Sequence, residues 1–497
     1  MMMSAQTDVN HGRMKKIGSM FSSLQEKLHR DKAEKKDLPA PQPRSTAYLD
    51  RAASPGQTFF FERLLVVSLR KRSSGEGYEP QISYQFPKGT SRSQWEEEER
   101  VITLFCFPEG VNWAPLTEYR SETFSFVLTE VDGSRRNGYC RRLLPDGKGA
   151  RPPEAYCIIS RLACFGLFSK IFDEVEKRRK KSMAMIYPFM QSLREAAFPT
   201  PGNTVKIKSF IPESGTEIIS LTRPLDSWLE HVDFRTLFRC LTDEEVLQVF
   251  AATVLERRII FIAEELSTLS QVLHAVAALL YPFLWQHTFI SIVPRVLLEV
   301  YLAPTPYLLG IQRTLQNLII DHSDLLIVDL AAPTGSKFIS KIGDEDTLIT
   351  AKLQEELLQE LCRRKHNANT EELNKVISEA FLTFFVKTVG HFADHIKKSG
   401  KSSGTFQKKS FLKAVEPKSS RNFVKQFVQT QMFDLFIQEE EKQPNREGLQ
   451  HKFLPQKSGG VSGAEEEGAR EEWMEEGGHC LKPGCWWDLL INCVCVC

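Results

Sequence analysis

The chain has 497 residues, with 64 lysines and arginines against 63 aspartates and glutamates, for a formal net charge of +1. That length predicts two or three domains. The charge balance excludes a global field suited to nucleic acid, so no nucleic-acid partner is expected. No N-terminal stretch joins an apolar core to a small-residue cleavage site, and the expected location is cytoplasmic. The longest apolar run, Val272–Trp285, carries His274 and Pro282. It falls short of the roughly 20 residues that a membrane span needs.

Residues 1–56 read as an unpacked N-terminal region with a basic amphipathic helix at about 15–36. Ile17, Met20, Phe21, Leu24 and Leu28 form one stripe, flanked by Lys15, Lys16 and Lys27. Such a helix can lie on an anionic membrane or dock on a protein surface. Asp37–Pro55, rich in proline and alanine, reads as a linker.

The first globular region opens with FFFERLLVVSLR, a strand, followed by the extended QISYQFP. Trp95–Arg100 reads as a charged surface segment and Phe105–Trp113 as an aromatic loop. TFSFVLTEVDGSRRNGYCRRLL predicts two strands, with Asp132-Gly133 and Asn137-Gly138 as turn dipeptides between them. AYCIISRL is a further strand. Phe165–Ala197 is helical, with Phe168, Ile171, Phe172 and Val175 on one face. Strands followed by helices predict an α/β layer. Residues 207–227 read as a linker with some strand character.

The most apolar and regular stretch is 252–311. Ile259–Ile262 is a strand covered on both faces. Leu269, Val272, Leu273, Val276, Leu279 and Leu280 follow at helical spacing, and Ser267 or Thr268 can cap that helix. His287–Val293 is a second strand, and strand–helix–strand predicts a parallel pairing. Asp243, Glu244 and Glu245 begin the preceding helix, where they favour its dipole. Leu325–Leu330 is another buried strand. Residues 347–445 read as mostly helical, with helices at Leu353–Leu361, Val376–His395 and Phe423–Glu439. Residues 446–497 read as a disordered, acidic and cysteine-rich tail.

The catalytic motifs fail on context. Gly400-Lys401-Ser402 mimics the end of a phosphate loop but follows a helix rather than a strand. Gly400–Gly404 also spells Gly-x-Ser-x-Gly, in a polar loop unsuited to a nucleophile elbow. His29-Arg30-Asp31 has no kinase glycine-rich loop beside it. Six scattered cysteines, Cys106, Cys140, Cys157, Cys164, Cys240 and Cys362, lack a Cys-x-x-Cys pair and read as buried thiols. Cys480, Cys485, Cys493, Cys495 and Cys497 leave metal binding, acylation or prenylation open, without a Cys-a-a-X box. The expectation is no cofactor, no resident metal and no catalytic residue. A large domain without a reacting constellation works through its surface.

ERRIIFIAEELSTLSQVLHAVAALLYPFLWQHTFISIVP and APTPYLLGI resemble the central segment of the DENN-domain family. FFFERLLVVSL, FCFPEGVNW and TFSFVLTEVDGSRRNGYCRRL resemble its upstream segment, and RNFVKQFVQTQMFDLFIQEE its closing helix. The wording is nearest to the second subfamily. The resemblance implies an upstream segment at 57–206, a linker at 207–227, a central segment at 228–346 and a downstream segment at 347–445. It implies a two-lobed α/β fold: an N-terminal longin-like lobe and a C-terminal α/β lobe with added helices. It also implies guanine-nucleotide exchange on a Rab GTPase, with Rab nine and late-endosome-to-Golgi traffic as the associated setting. The partner would be engaged in its GDP-bound and nucleotide-free forms, with peripheral recruitment to endosomal or vesicle membranes. A DENN fold that binds a Rab as an effector or scaffold is the other reading. Loops at strand C-termini bind ligands in α/β folds, which places the contacts on Glu264, Glu265, Leu266, Ser267, Thr268 and Ser270. The alternative role of the three hydroxyl residues is helix capping.

Overall fold

The computed structural model describes residues 59–442, apart from 74–76, 88–94, 111–112, 130–134, 201, 212–214, 224–231, 332–336, 365–368 and 399–403. The basic stripe Lys15, Lys16, Ile17, Met20, Phe21, Leu24, Lys27 and Leu28, the motif residues Gly400–Ser402 and the cysteine-rich tail lie outside the described residues.

The first lobe runs β1 (Arg63–Lys71), β2 (Tyr78–Phe86), α1 (Trp95–Cys106), β3 (Glu122–Thr129), β4 (Arg135–Leu143), β5 (Glu154–Ser160), α2 (Phe165–Arg179), α3 (Ile186–Glu195), β6 (Thr204–Ile211) and β7 (Gly215–Thr222). β2-β1-β5-β4-β3 form one sheet, antiparallel at every pairing. Alternation along β1 sends Leu65 and Val67 to one face and Leu64 and Val66 to the other. α2 covers the second face with Phe168, Ile171, Phe172 and Val175, all at 0% exposure. That stripe has the expected helical spacing, and each side chain buried contributes roughly 1.5–3 kcal/mol.

Three expectations for this lobe change and one is refined. The charged surface segment Trp95–Arg100 is the first half of α1. Ile102, Phe105 and Cys106 bury its apolar side, a period that the run of glutamates hides. Asn137-Gly138 sits inside β4 rather than in the turn. Gly138 is needed there because a Cβ would lie 2.3 Å from the Phe126 ring on β3. The stretch expected as a linker at 207–227 begins with the hairpin β6–β7. The hairpin buries Ile207 and Leu221 in the first lobe's core. The helical expectation over Phe165–Ala197 resolves into two helices, because Lys180–Ser182 leaves the helical path between them.

The second lobe runs α4 (Phe234–Cys240), α5 (Asp243–Val254), β8 (Arg258–Ala263), α6 (Leu266–Ala278), β9 (Thr288–Ile290), β10 (Tyr307–Gln312), β11 (Leu326–Asp329), β12 (Phe338–Ser340), α7 (Ala351–Leu361), α8 (Thr370–Val389), β13 (Ile396–Lys398), β14 (Gly404–Phe406), α9 (Lys408–Ala414), α10 (Arg421–Phe427) and α11 (Gln431–Lys442). Its sheet has the order β12-β11-β8-β10-β9. β8 pairs in parallel with β10 and β11. The strand after α6 is therefore parallel to β8, as expected, but it is not its neighbour. β10, buried at all six positions, occupies the place beside β8, and the three-residue β9 takes the edge. α5 starts on a capping box: Thr242 Oγ1 accepts from the Glu245 N–H at 3.3 Å, and Glu245 Oε2 accepts from the Thr242 N–H at 2.9 Å.

One face of this sheet carries Ile259, Phe261, Leu308, Leu326 and Val328 into an apolar core shared with the first lobe. Leu65, Val67, Phe124, Phe126 and Cys140 belong to that same core. The lobes are therefore joined by buried apolar contact. The helical segment Thr370–His395 is long and apolar enough to cross a membrane by composition. Here it is a core helix, burying Ile377, Phe381, Phe385 and Val389.

The closing helix expected over Phe423–Glu439 is two helices, α10 and α11. Glu256, held at φ 52° just before β8, sets the second. Its carboxylate accepts from the N–H groups of Gln431 at 2.9 Å and Met432 at 2.7 Å, and His287 Nε2 lies 3.0 Å away. Two orphan donors of α11 are satisfied by a residue 175 positions earlier. Glu256→Ala is expected to lower the unfolding free energy by about 1–2 kcal/mol in urea titration. An unchanged midpoint would remove Glu256 from that role.

Candidate functional site at the C-terminal edge of the parallel sheet

β8, β10 and β11 all end on the same edge of the second sheet, since they run parallel. That edge carries Glu264, Arg313 and Asp329, the charged residues at or just past the three strand ends. Arg313 binds Asp329 through Nη2 and approaches Glu264 Oε1 with Nε at 3.7 Å. Asp329 Oδ1 also accepts from the Ala331 N–H at 3.0 Å. Glu265 follows, exposed, with Arg120 of the first lobe 3.9 Å from its carboxylate. The edge therefore presents alternating charge on short, anchored backbone.

The loop between β8 and α6 is held from the other lobe. Glu265 is the N-cap of α6 but makes no side-chain cap bond. Instead Glu122 Oε2, at the start of β3, accepts from the Ser267 N–H at 3.1 Å. A negative carboxylate suits the positive end of a helix. Burial pushes the Glu122 carboxyl above its ordinary value, and the Ser267 N–H and the charge of Arg142 pull part of that back. Arg142 stands directly opposite Glu122 in the β3–β4 ladder.

Arg142 is 1% exposed and fully partnered. Its two Nη atoms reach the Glu109 carboxylate at 2.7 and 2.8 Å, and Nε donates to the Cys106 carbonyl at 2.7 Å. The guanidinium also lies 4.8 Å from the Phe107 ring centre, 5.3 Å from Trp113 and 5.4 Å from Phe124. Burial works against its charge, but the Glu109 carboxylate outweighs burial and keeps it protonated. Glu109 Oε1 accepts in addition from Gln312 Nε2 at 3.3 Å, the last residue of β10. Two lines thus cross from the first lobe to this edge: Arg142–Glu109–Gln312 and Glu122–Ser267. Ser291 Oγ adds a third inter-lobe bond, donating to the Ser125 carbonyl at 2.8 Å.

Of the six residues expected as contacts, the structure divides the set. Glu264 and Glu265 are exposed, and Ser267 and Thr268 half-buried. Thr268 Oγ1 donates to Glu265 Oε2 at 3.3 Å. Leu266 and Ser270 are 0% exposed, so they shape the loop from inside. Ser270 Oγ donates to the Ser267 carbonyl at 3.2 Å. Neither Ser267 nor Thr268 caps the helix, because it begins at Leu266 and both fall inside its first turn; Glu122 accepts from the Ser267 N–H instead. Sequence reasoning missed Glu122, Arg142, Glu109 and Arg313. For Arg313 a signal existed, a charged residue directly after an apolar strand. For the others pairing across the lobes is tertiary and leaves no local pattern. Among the described residues no group of three histidine, cysteine or acidic side chains is placed to hold a metal ion.

Family profiles match in three consecutive blocks: the uDENN domain at residues 80–143, the DENN (AEX-3) domain at 151–333 and the dDENN domain at 406–454. The chain is 58% identical over 398 residues to human DENN domain-containing protein 2D, covering 78% of this chain and 84% of that protein. It is 49% identical over 399 residues to human DENN domain-containing protein 2B, covering 77% of this chain and 35% of that one. Human DENN domain-containing protein 2A is 46% identical over 402 residues, with 77% and 40% covered. With a two-lobed α/β fold and all three profiles matched in order, the chain belongs to the DENN-domain family, whose members are generally guanine-nucleotide exchange factors for Rab GTPases.

Proposed function

We propose that this chain accelerates GDP release from a Rab GTPase, Rab nine first among the candidates, in endosome-to-Golgi traffic. The observation that carries the reading is the β8–α6 loop: exposed Glu264 and Glu265 on a turn pinned by Glu122 from the opposite lobe. An exchange factor must bind the nucleotide-free GTPase better than the nucleotide-bound forms. A loop clamped from both lobes resists deformation, so the strain of association falls on the partner's switch segments and displaces them from nucleotide and Mg²⁺. The loop's acids face the partner, with Arg120 and Arg313 beside them to set register by charge. The chain's site is the cytoplasmic face of endosomal or vesicle membranes, reached by peripheral recruitment.

The test is release of fluorescent GDP from a panel of purified Rabs. Rab nine is expected to lose nucleotide at least about tenfold faster in the presence of the chain. Glu264→Arg with Glu265→Arg is expected to remove most of that acceleration while the melting temperature stays within a degree or two, because exposed pairs contribute little to stability. Binding without acceleration of any Rab would overturn exchange and favour the effector or scaffold reading. Full activity in the double variant would overturn the placement of the loop.

A further inference from the structure

The hairpin β6–β7 sorts its side chains by face. Thr204, Lys206, Lys208 and Phe210 on β6, with Thr216, Ile218, Ser220 and Thr222 on β7, all point outward and are exposed. Ile207, Ser209, Ile211 and Leu221 point inward and are buried. Lys208 stands opposite Ile218 and Phe210 opposite Thr216, so Phe210 and Ile218 are diagonal neighbours. They are 62% and 60% exposed, two large apolar side chains side by side near the turn end.

Charge is sorted the same way. The acid of the described hairpin, Glu217, is held back toward the first lobe by Lys177 of α2, with both carboxylate oxygens within 2.9 Å of Nζ. Lys177, Arg178 and Lys181 together hold the Glu217 carboxyl below its ordinary range, the Lys177 hydrogen bond first. Among the described residues the outward face is left with two lysines, four hydroxyls, a phenylalanine and an isoleucine, and no carboxylate. Exposed Lys180 and Lys181 extend the positive side just past α2. Arg178 Nε meets Ser209 Oγ at 3.3 Å, which fixes the end of α2 against the hairpin.

We propose that this outward face is a docking surface for an anionic phospholipid bilayer. Phe210 and Ile218 enter the interfacial layer while Lys206 and Lys208 lie at headgroup level, their stems along the apolar pair. Lysines near an anionic leaflet each add about fivefold to binding. Two exposed apolar side chains flanked by Lys206 and Lys208 suit an anionic lipid interface better than an acidic protein surface, which would leave the pair in water. The face shares no residue with the β8–α6 turn, so the two surfaces are tested by separate variants.

The test is co-sedimentation of the full chain with vesicles of phosphatidylcholine alone and with 30% phosphatidylserine (roughly the charge of a cytoplasmic leaflet). Binding is expected to the anionic vesicles and to fall with salt. Phe210→Ser with Ile218→Ser is expected to weaken it about tenfold or more. Lys206→Glu with Lys208→Glu is expected to do the same, and Lys206→Arg with Lys208→Arg to restore it. GDP release in solution, without vesicles, reports that each variant is folded. Wild-type binding by both variant pairs, or equal binding to neutral vesicles, would overturn the proposal. So would a loss caused by charge reversal alone, with Phe210 and Ile218 making no difference.

Discussion

Arg142→Met is expected to lower the unfolding free energy by about 3–5 kcal/mol, the cost of leaving a buried ion pair with one partner. Glu109 would lose both guanidinium contacts, with 25% of its side chain reaching solvent. The Cys106 carbonyl would lose its donor, and Phe107, Trp113 and Phe124 would lose the flat cation they surround. Glu122 would lose the nearby positive charge that offsets its burial. Its carboxyl would rise further, and a protonated Glu122 is a weaker acceptor for the Ser267 N–H. Chemical denaturation measures the first effect and GDP release the second. Glu109→Gln in the same chain should recover a large part of the stability, because the stranded charge is then gone. A single variant within 1 kcal/mol of wild type would show that solvent reaches this pair far better than its burial indicates.

Arg142 also shows where the sequence stopped being legible. β1, β3, β5 and β8 are readable because their apolar patterns are local, and α2 because Phe168, Ile171, Phe172 and Val175 repeat at a helical period. The resemblance to the DENN family carried the two-lobed order. Arg142 itself sits in NGYCRRLL, where two arginines in a row look like a solvated end of a strand. Only the fold turns both inward, to opposite faces: Arg141 meets Asp173 and Glu176 on α2, while Arg142 meets Glu109 and the Cys106 carbonyl. Asn137-Gly138 misled for a related reason. A glycine chosen so that Phe126 can pack over it spells the same dipeptide as a hairpin turn. The candidate edge was half legible. The exposure of Glu264 and Glu265 follows from their place just after a buried strand, but the burial of Leu266 and Ser270 and the remote bond from Glu122 depend on contacts across 145 residues of chain.

Gly310→Ala is expected to cost at least about 3 kcal/mol, more than a one-methyl enlargement usually does. Gly310 lies inside β10 beside the edge strand β9, and its carbonyl accepts from the Val293 N–H at 2.7 Å. A Cβ there would stand 2.0 Å from the Ser291 carbonyl oxygen, 2.9 Å from its carbon and 3.4 Å from Leu269 Cβ on α6. The first two are backbone atoms, so no rotamer change relieves the contact, and β9 must move away from β10. Ser291 would move with it and loosen its bond to the Ser125 carbonyl, one of the links between the lobes. Leu269 would press α6 outward and carry the Glu264–Glu265 turn with it. Loss of stability in urea and loss of exchange should therefore appear together. Gly166→Ala is the contrasting case. Gly166 lies in the first turn of α2 with nothing within 4 Å of an added methyl, so alanine there is expected to raise stability by about 0.5–1 kcal/mol. Equal responses at the two glycines would mean that close approach of β9 is not what fixes Gly310.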